Sequence, residues 1–267
     1  MLTSIQNPLV KEIKKLHKPK GRREQQLFLL EGTHLLEEAC AVDYPLVTVC
    51  CTPEWQARNQ QLWQDASRRS QRAEVVSPEV LKAIATTVQP DGVVATAKRR
   101  LTPEEEQPQR EPLLSSVGLA LETVQDPGNL GTIIRTAAAS GAERLWLSTD
   151  SVDLDNPKVL RSSAGQWFRL PVALIPDLRD LVCQCRAQEI QVVATVPDAT
   201  LNYWDIDLRC PTLILLGNEA AGLRPDLAAQ ADHVVKIPLC PDVESLNVAV
   251  AAALMLYEAQ RQRQKKG

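Results

Sequence analysis

The 267-residue chain has no charge-free apolar run of about 18 residues, so nothing in it reads as a membrane span. Its first residues, MLTSIQNPLVKEIKKL, meet a polar or charged group every few positions and lack the apolar centre of a secretory signal. Among 7 Cys and 3 His there is no C-x-x-C pair and no paired His at zinc-ligand distance, so no metal is expected. The cysteines are odd in number and lie in or beside apolar runs, which predicts reduced, buried thiols and a cytoplasmic protein. The G-x-G-x-x-G fingerprint is missing as well, against an ordinary dinucleotide-binding enzyme. What is present suffices for a folded protein: 44% hydrophobic and 24% charged residues give enough surface to bury.

Net charge is only −3, but it is unevenly spread. Residues 1–100 carry 15 Lys and Arg against 11 Asp and Glu, whereas residues 101–267 carry 15 against 22. Lys11, Lys14, Lys15, Lys18, Lys20, Arg22 and Arg23 crowd one short stretch in which Glu12 is the only acid. Such a run is either a solvated helix face or an arm that contacts phosphates. If it is an arm, Lys14, Lys15, Arg22 and Arg23 are the candidate phosphate contacts.

Two domains are expected from the length. The stretch LTPEEEQPQREPLL, residues 101–114, is rich in Pro and Glu and reads as a linker between a domain over 1–100 and another over 115–267. In the first, short aliphatic runs (LFLLEG, PLVTVCC, AEVVS, GVVATAK) alternate with helical patterns (THLLEEAC, PEWQARNQQLWQDASRR, SPEVLKAI), predicting an α/β sandwich. Trp55 and Trp63 fall on one such helix and suit packing better than base stacking. In the second domain, VGLALE, RLWLS, IQVVAT, TLILLG and HVVKIPL are nearly unbroken apolar strands, as in a mainly parallel sheet covered on both faces. The chain closes on SLNVAVAAALMLYEAQRQRQ, a long helix apolar almost all round in its first half and expected to be buried there.

Three junctions stand out. In LETVQDPGNLGTIIRTAAASG a strand runs into a tight loop, Asn129 is placed to cap the following helix, and Arg135 lies about 240° further round that helix. A guanidinium flanked by Ile and Ala needs either an internal carboxylate or a substrate anion. In TLILLGNEAAGL a buried strand ends at Gly217, and Glu219 sits in a loop with glycines on both sides. In HVVKIPLCPDVESLNVAV a Pro-bounded loop leads to Ser245, a natural helix cap, and Asn247. Each junction alone is an ordinary turn or cap.

Together, N-x-G-x-x-x-R (Asn129, Gly131, Arg135), G-x-E-x-x-G (Gly217, Glu219, Gly222) and I-P-L with S-L-N (Ile237 to Leu239, Ser245 to Asn247) resemble the three motifs of the SpoU, or TrmH-type, branch of the SPOUT RNA 2′-O-ribose methyltransferases. NPKVLRSSAGQWFRLPV at 156–172 resembles the segment after that family's second strand, and the N-terminal region resembles its small substrate-binding domain. The likeness spans nearly the whole chain. It implies an α/β fold: a C-terminal SPOUT trefoil-knotted domain with a mainly parallel sheet, plus a small N-terminal α/β substrate-binding domain.

The resemblance also implies S-adenosylmethionine as cofactor, held by Thr195, Val196, Gly217, Ile237 and Leu246. Catalytic roles fall to Asn129, Arg135, Glu219, Ser245 and Asn247. The family's arginine is described as a general base, but a guanidinium stays protonated in proteins. Stabilisation of the developing alkoxide suits Arg135 better, with Glu219 or a water taking the proton. Ala249 stands where the family commonly has serine. A homodimer is implied, through the apolar face of Val248 to Tyr257. Ribosomal RNA is the expected substrate, ahead of transfer RNA or a non-catalytic role in ribosome assembly.

Overall fold

The computed structural model describes residues 1–99 and 113–264, so the linker expected over 101–114 falls almost wholly outside the described residues. These divide into two compact units: residues 1–99 with 153–168, and residues 113–152 with 169–264.

The first unit holds four strands: β1 (Leu27–Glu31), β2 (Leu46–Cys51), β3 (Ser70–Val75) and β4 (Val93–Lys98), in the order β1-β4-β2-β3. β4 runs antiparallel to both neighbours, and β2 pairs parallel with β3. The helices begin where the sequence supplies a cap followed by proline: Asn7 before Pro8, Thr52 before Pro53, Ser77 before Pro78. The helix expected over 53–69 is two helices, Pro53–Arg58 and Gln60–Arg69. They break at Asn59, whose side-chain amide donates to the Trp55 carbonyl and competes with helical bonding. Trp55 is buried, with its indole N–H on Thr33 Oγ1.

The basic run folds into the helices Pro8–Lys15 and Pro19–Gln25. Val10 and Ile13 turn inward while Lys11, Lys14 and Lys15 stay exposed. At Gly21 a Cβ would lie 2.1 Å from the Lys15 carbonyl oxygen, so only glycine allows the two helices to approach this closely. That approach drives Arg22 inward. It is 1% exposed, with Nη1 donating to the Leu16 carbonyl at 2.9 Å and Nε and Nη2 to Asp153 Oδ2 at 3.1 and 2.7 Å. Arg22 is therefore a buried structural cation, which overturns its expected role as a phosphate contact.

Asp153 belongs to the segment that departs from the expected domain over 115–267. Residues 153–168 pack with the first unit because their polar and aromatic partners are there. Arg22 and Arg99 hold Asp153, Arg99 also pairs with Asp155, and Arg161 meets Glu31 at 3.3 Å. Trp167 packs on Phe28 and Tyr44, with ring centroids 5.0 and 5.9 Å apart.

The second unit is built on seven strands: β5 (Val117–Leu121), β6 (Arg144–Ser148), β7 (Val172–Ile175), β8 (Gln191–Thr195), β9 (Leu201–Asn202), β10 (Thr212–Leu216) and β11 (His233–Lys236). Their order is β7-β6-β5-β10-β8-β11-β9, and every pair is parallel. β5 and β10 are buried along their full length, as unbroken aliphatic runs require. Strand order proceeds outward in one direction from β5 and in the other from β8, with β10 between them. A crevice for ligand is expected beyond the carboxyl ends of strands at such a reversal.

The terminal helix, Val248–Gln264, packs on the helix Pro127–Ala139. Its apolar first half is covered on one side only: Val248, Ala249, Ala252, Met255 and Leu256 are buried, while Val250 and Tyr257 are 47% and 48% exposed. The cysteines also divide. Burial pushes the thiols of Cys40, Cys50, Cys51 and Cys185 up to about 11, 12, 12 and 12, which makes them inert. Cys183, Cys210 and Cys240 are exposed, contrary to the expectation of burial. Among the described residues no helix is long and apolar enough to cross a membrane.

Candidate functional site

The loop after β5 begins the site. Asp126, not Asn129, caps the helix Pro127–Ala139, its carboxylate accepting from the Gly128 and Asn129 N–H groups at 2.6 and 2.9 Å. Pro127 at the first helical position accounts for this, since its missing N–H costs nothing there. Asn129 lies inside the helix with its side chain free to act elsewhere. Its Nδ2 donates to Glu219 Oε1 at 3.0 Å, and its Oδ1 accepts from Asn247 Nδ2 at 2.9 Å.

Glu219 is held by the loop after β10. At Gly217 a Cβ would lie 2.1 Å from the Gly222 carbonyl carbon, so the loop closes on itself only with glycine there. Asn218 and Gly222 exchange two backbone hydrogen bonds, and Gly222 has a φ of +71°. The Asn218 side chain accepts from the N–H groups of Ala220 and Ala221 and donates to the Thr123 carbonyl at 2.7 Å. Sequence reasoning passed over Asn218, although an Asx turn before small residues is a recognised loop former.

Burial raises the Glu219 carboxyl, but hydrogen bonds from Asn129 and from backbone N–H groups, those of Gln125 and Asp126 among them, outweigh it and hold the group below the usual carboxylate range. It is ionised at neutral pH, with both oxygens already accepting. A saturated carboxylate of lowered pKa is a poor proton acceptor and a good brace.

The third loop carries a second change of cap. Asn247, not Ser245, starts the terminal helix, its Oδ1 accepting from the Ala249 N–H at 2.9 Å. Ala249 is thus a buried second residue of that helix. Ser245 stays exposed.

These loops enclose a cavity of about 400 Å³. Thr195, Val196, Gly217, Ile237 and Leu246 all line it, together with Glu219 and Ser245. Thr195 Oγ1 is buried with no hydrogen-bond partner among the described residues. A buried hydroxyl without a partner asks for one from whatever occupies the space. Apolar walls, a glycine too close for any side chain, and this hydroxyl suit a polar organic cofactor.

Arg135 stands apart. It is exposed, lines no part of the cavity, and has no hydrogen bond or ion pair among the described residues. The structure thus joins Asn129, Glu219 and Asn247 by hydrogen bonds and sets Glu219 and Ser245 on one cavity, while Arg135 faces solvent on the same helix as Asn129. In the other unit Lys14, Lys15 and Arg23 are exposed, and Lys15 pairs with Glu12 at 2.8 Å.

Comparison with known proteins adds independent observations. Residues 116–257 match the SpoU rRNA Methylase family, and residues 7–95 match an MRM3-like substrate binding domain. An uncharacterized tRNA/rRNA methyltransferase of Synechocystis is 48% identical over 98% of this chain and 94% of its own. The 23S rRNA (guanosine(2553)-2′-O)-methyltransferase RlmP of Bacillus subtilis is 32% identical over 96% of this chain and 97% of its own. The crystal structure of an AdoMet-bound rRNA methyltransferase from Sinorhizobium meliloti superposes with a TM-score of 0.86 at 34% identity, covering 97% of each chain.

Proposed function

The chain belongs to the SpoU rRNA Methylase family, and on that premise we propose that it methylates a ribose 2′-hydroxyl of ribosomal RNA with S-adenosylmethionine. The observation that carries this reading is the hydrogen-bonded set Asn129, Glu219 and Asn247, of which Glu219 lines a cavity suited to a polar organic cofactor. Ribosomal RNA is favoured because the Bacillus subtilis relative, matched along nearly its full length, is named for that substrate.

Thr195, Val196, Gly217, Ile237 and Leu246 would hold the cofactor, which when bound supplies a methyl group on a positively charged sulfur. The remaining work is alignment, for which effective molarities reach about 10⁵–10⁸ M. Asn129 is fixed from both ends, by Glu219 and by Asn247, and orients the ribose. Ser245 and Asn247 contact the neighbouring RNA backbone. Arg135, exposed and without a partner among the described residues, takes the target phosphate and the charge developing on the 2′-oxygen. Glu219 braces Asn129, and the hydroxyl proton leaves to water. Lys14, Lys15 and Arg23 supply sequence-independent attraction for the RNA backbone. The protein works in the cytoplasm as a homodimer, paired over the side of the terminal helix that exposes Val250 and Tyr257.

Incubation of the full chain with ribosomal RNA and methyl-labelled S-adenosylmethionine, followed by mapping of 2′-O-methyl positions, is expected to show one or a few modified riboses. Label on a base, or on no RNA despite bound cofactor, would refute the reading.

A further inference from the structure

Pro197, Asp198, Ile237, Leu239 and Glu244 wall the cavity beside Glu219 and also wall an adjoining opening of about 490 Å³. Asp198 and Glu244 therefore stand where the two spaces meet. Both are exposed, and neither has a hydrogen bond or ion pair among the described residues. They cap no helix and brace no loop. With Glu219 they put three carboxylates on the cavity wall, and among the described residues no Lys, Arg or His lines it. Lys236 lines only the adjoining opening. Three carboxylates on an otherwise uncharged, largely apolar wall, with no cation on it among the described residues, favour a positively charged occupant.

The reaction proposed above changes the charge of that occupant. When the methyl carbon bonds to the ribose oxygen, the carbon–sulfur bond breaks with its electron pair left on sulfur, and the hydroxyl proton passes to water. Sulfur goes from positive to neutral. The amino and carboxylate groups of the cofactor are unchanged, so reactant and spent cofactor differ by one methyl group and one positive charge.

We propose that Asp198 and Glu244 are specificity residues that distinguish these two states, drawing in the sulfonium cofactor and loosening the neutral thioether after transfer. The inference rests on the cofactor reading above and names residues that the family motifs do not include. An exposed carboxylate acting on one charge is worth about threefold in affinity, and two together about tenfold, with screening by salt.

The test is calorimetric titration of the full chain with S-adenosylmethionine and, separately, S-adenosylhomocysteine, repeated for Glu244→Gln, Asp198→Asn and the double variant. The expected result is that the affinity ratio of reactant to product falls about threefold in each single variant and about tenfold in the double, through weaker S-adenosylmethionine binding alone. At roughly 1 M salt the difference from the parent protein should nearly vanish, because the screening length is then about 3 Å. An unchanged ratio with both compounds binding would overturn the proposal. So would equal weakening of both, which would mean that the carboxylates serve groups common to the two compounds. Failure of the parent protein to bind S-adenosylmethionine would overturn the cofactor reading and this inference together.

Discussion

The guanidinium of Arg22, in the N-terminal unit, is buried against Leu16, His17 and Asp153, whereas that of Arg135, in the other unit, faces solvent without a partner among the described residues. Both lie on helices, next to residues that turn inward. A buried cation surrounded by acceptors is committed to holding the chain together, because any ligand that drew it out would strand those acceptors. An exposed cation with no internal partner is available to an anion. The same contrast divides the basic run itself: Arg22 holds the unit together while Lys14, Lys15 and Arg23 remain on its surface.

The largest effect expected from this contrast is on stability. Arg22→Ala should cost about 3–5 kcal/mol in urea denaturation, since it leaves Asp153 with Arg99 alone and the Leu16 carbonyl unpaired. A cost below about 0.5 kcal/mol would erase the distinction between the two arginines. Next comes RNA affinity. Reversal of charge at Lys14, Lys15 and Arg23 together should weaken binding about tenfold or more near physiological salt and make the salt slope shallower by about 2–3, with stability unchanged. A binding curve insensitive to these changes would return the run to a merely solvated face.

The smallest effect concerns Glu219 and pH. Its folded pKa lies below the ordinary carboxylate value of 4.5. It therefore contributes stability that is full above about pH 4.5 and is lost as pH falls through the lower folded value. Acid denaturation of the parent protein should show this loss, and Glu219→Gln, destabilised by about 1 kcal/mol at neutral pH, should lack it. Parallel acid curves for the two proteins would remove Glu219 from the brace.

Much of the second unit was legible because its chemistry is local. Strands buried on both faces read as unbroken aliphatic runs, as in TLILLG, and the loops after them carry Gly, Asn and Ser where backbones approach closely. The two cap assignments went wrong for a local reason too. Asp126 and Asn129 both suit a cap, and only Pro127 at the first helical position decides between them; Ser245 and Asn247 offer the same choice without a proline. Strands β7 and β9 were missed because four and two residues at the sheet edges carry too little pattern. The burial of Arg22 was not legible, because Asp153 lies 131 positions away and belongs to a segment that sequence continuity placed elsewhere. Exposure of Arg135 and of Val250 was hidden for the opposite reason: apolar neighbours imply burial unless the covering element is known to be absent.

Single-turnover methyl transfer by Arg135→Ala, with S-adenosylmethionine affinity and thermal unfolding measured on the same sample, tests the central claim most directly. Cofactor affinity and unfolding should match the parent protein while transfer falls about 10²–10³-fold, the loss typical of removing one group that stabilises developing charge. Transfer at the parent rate would show that the exposed arginine takes no part in the reaction.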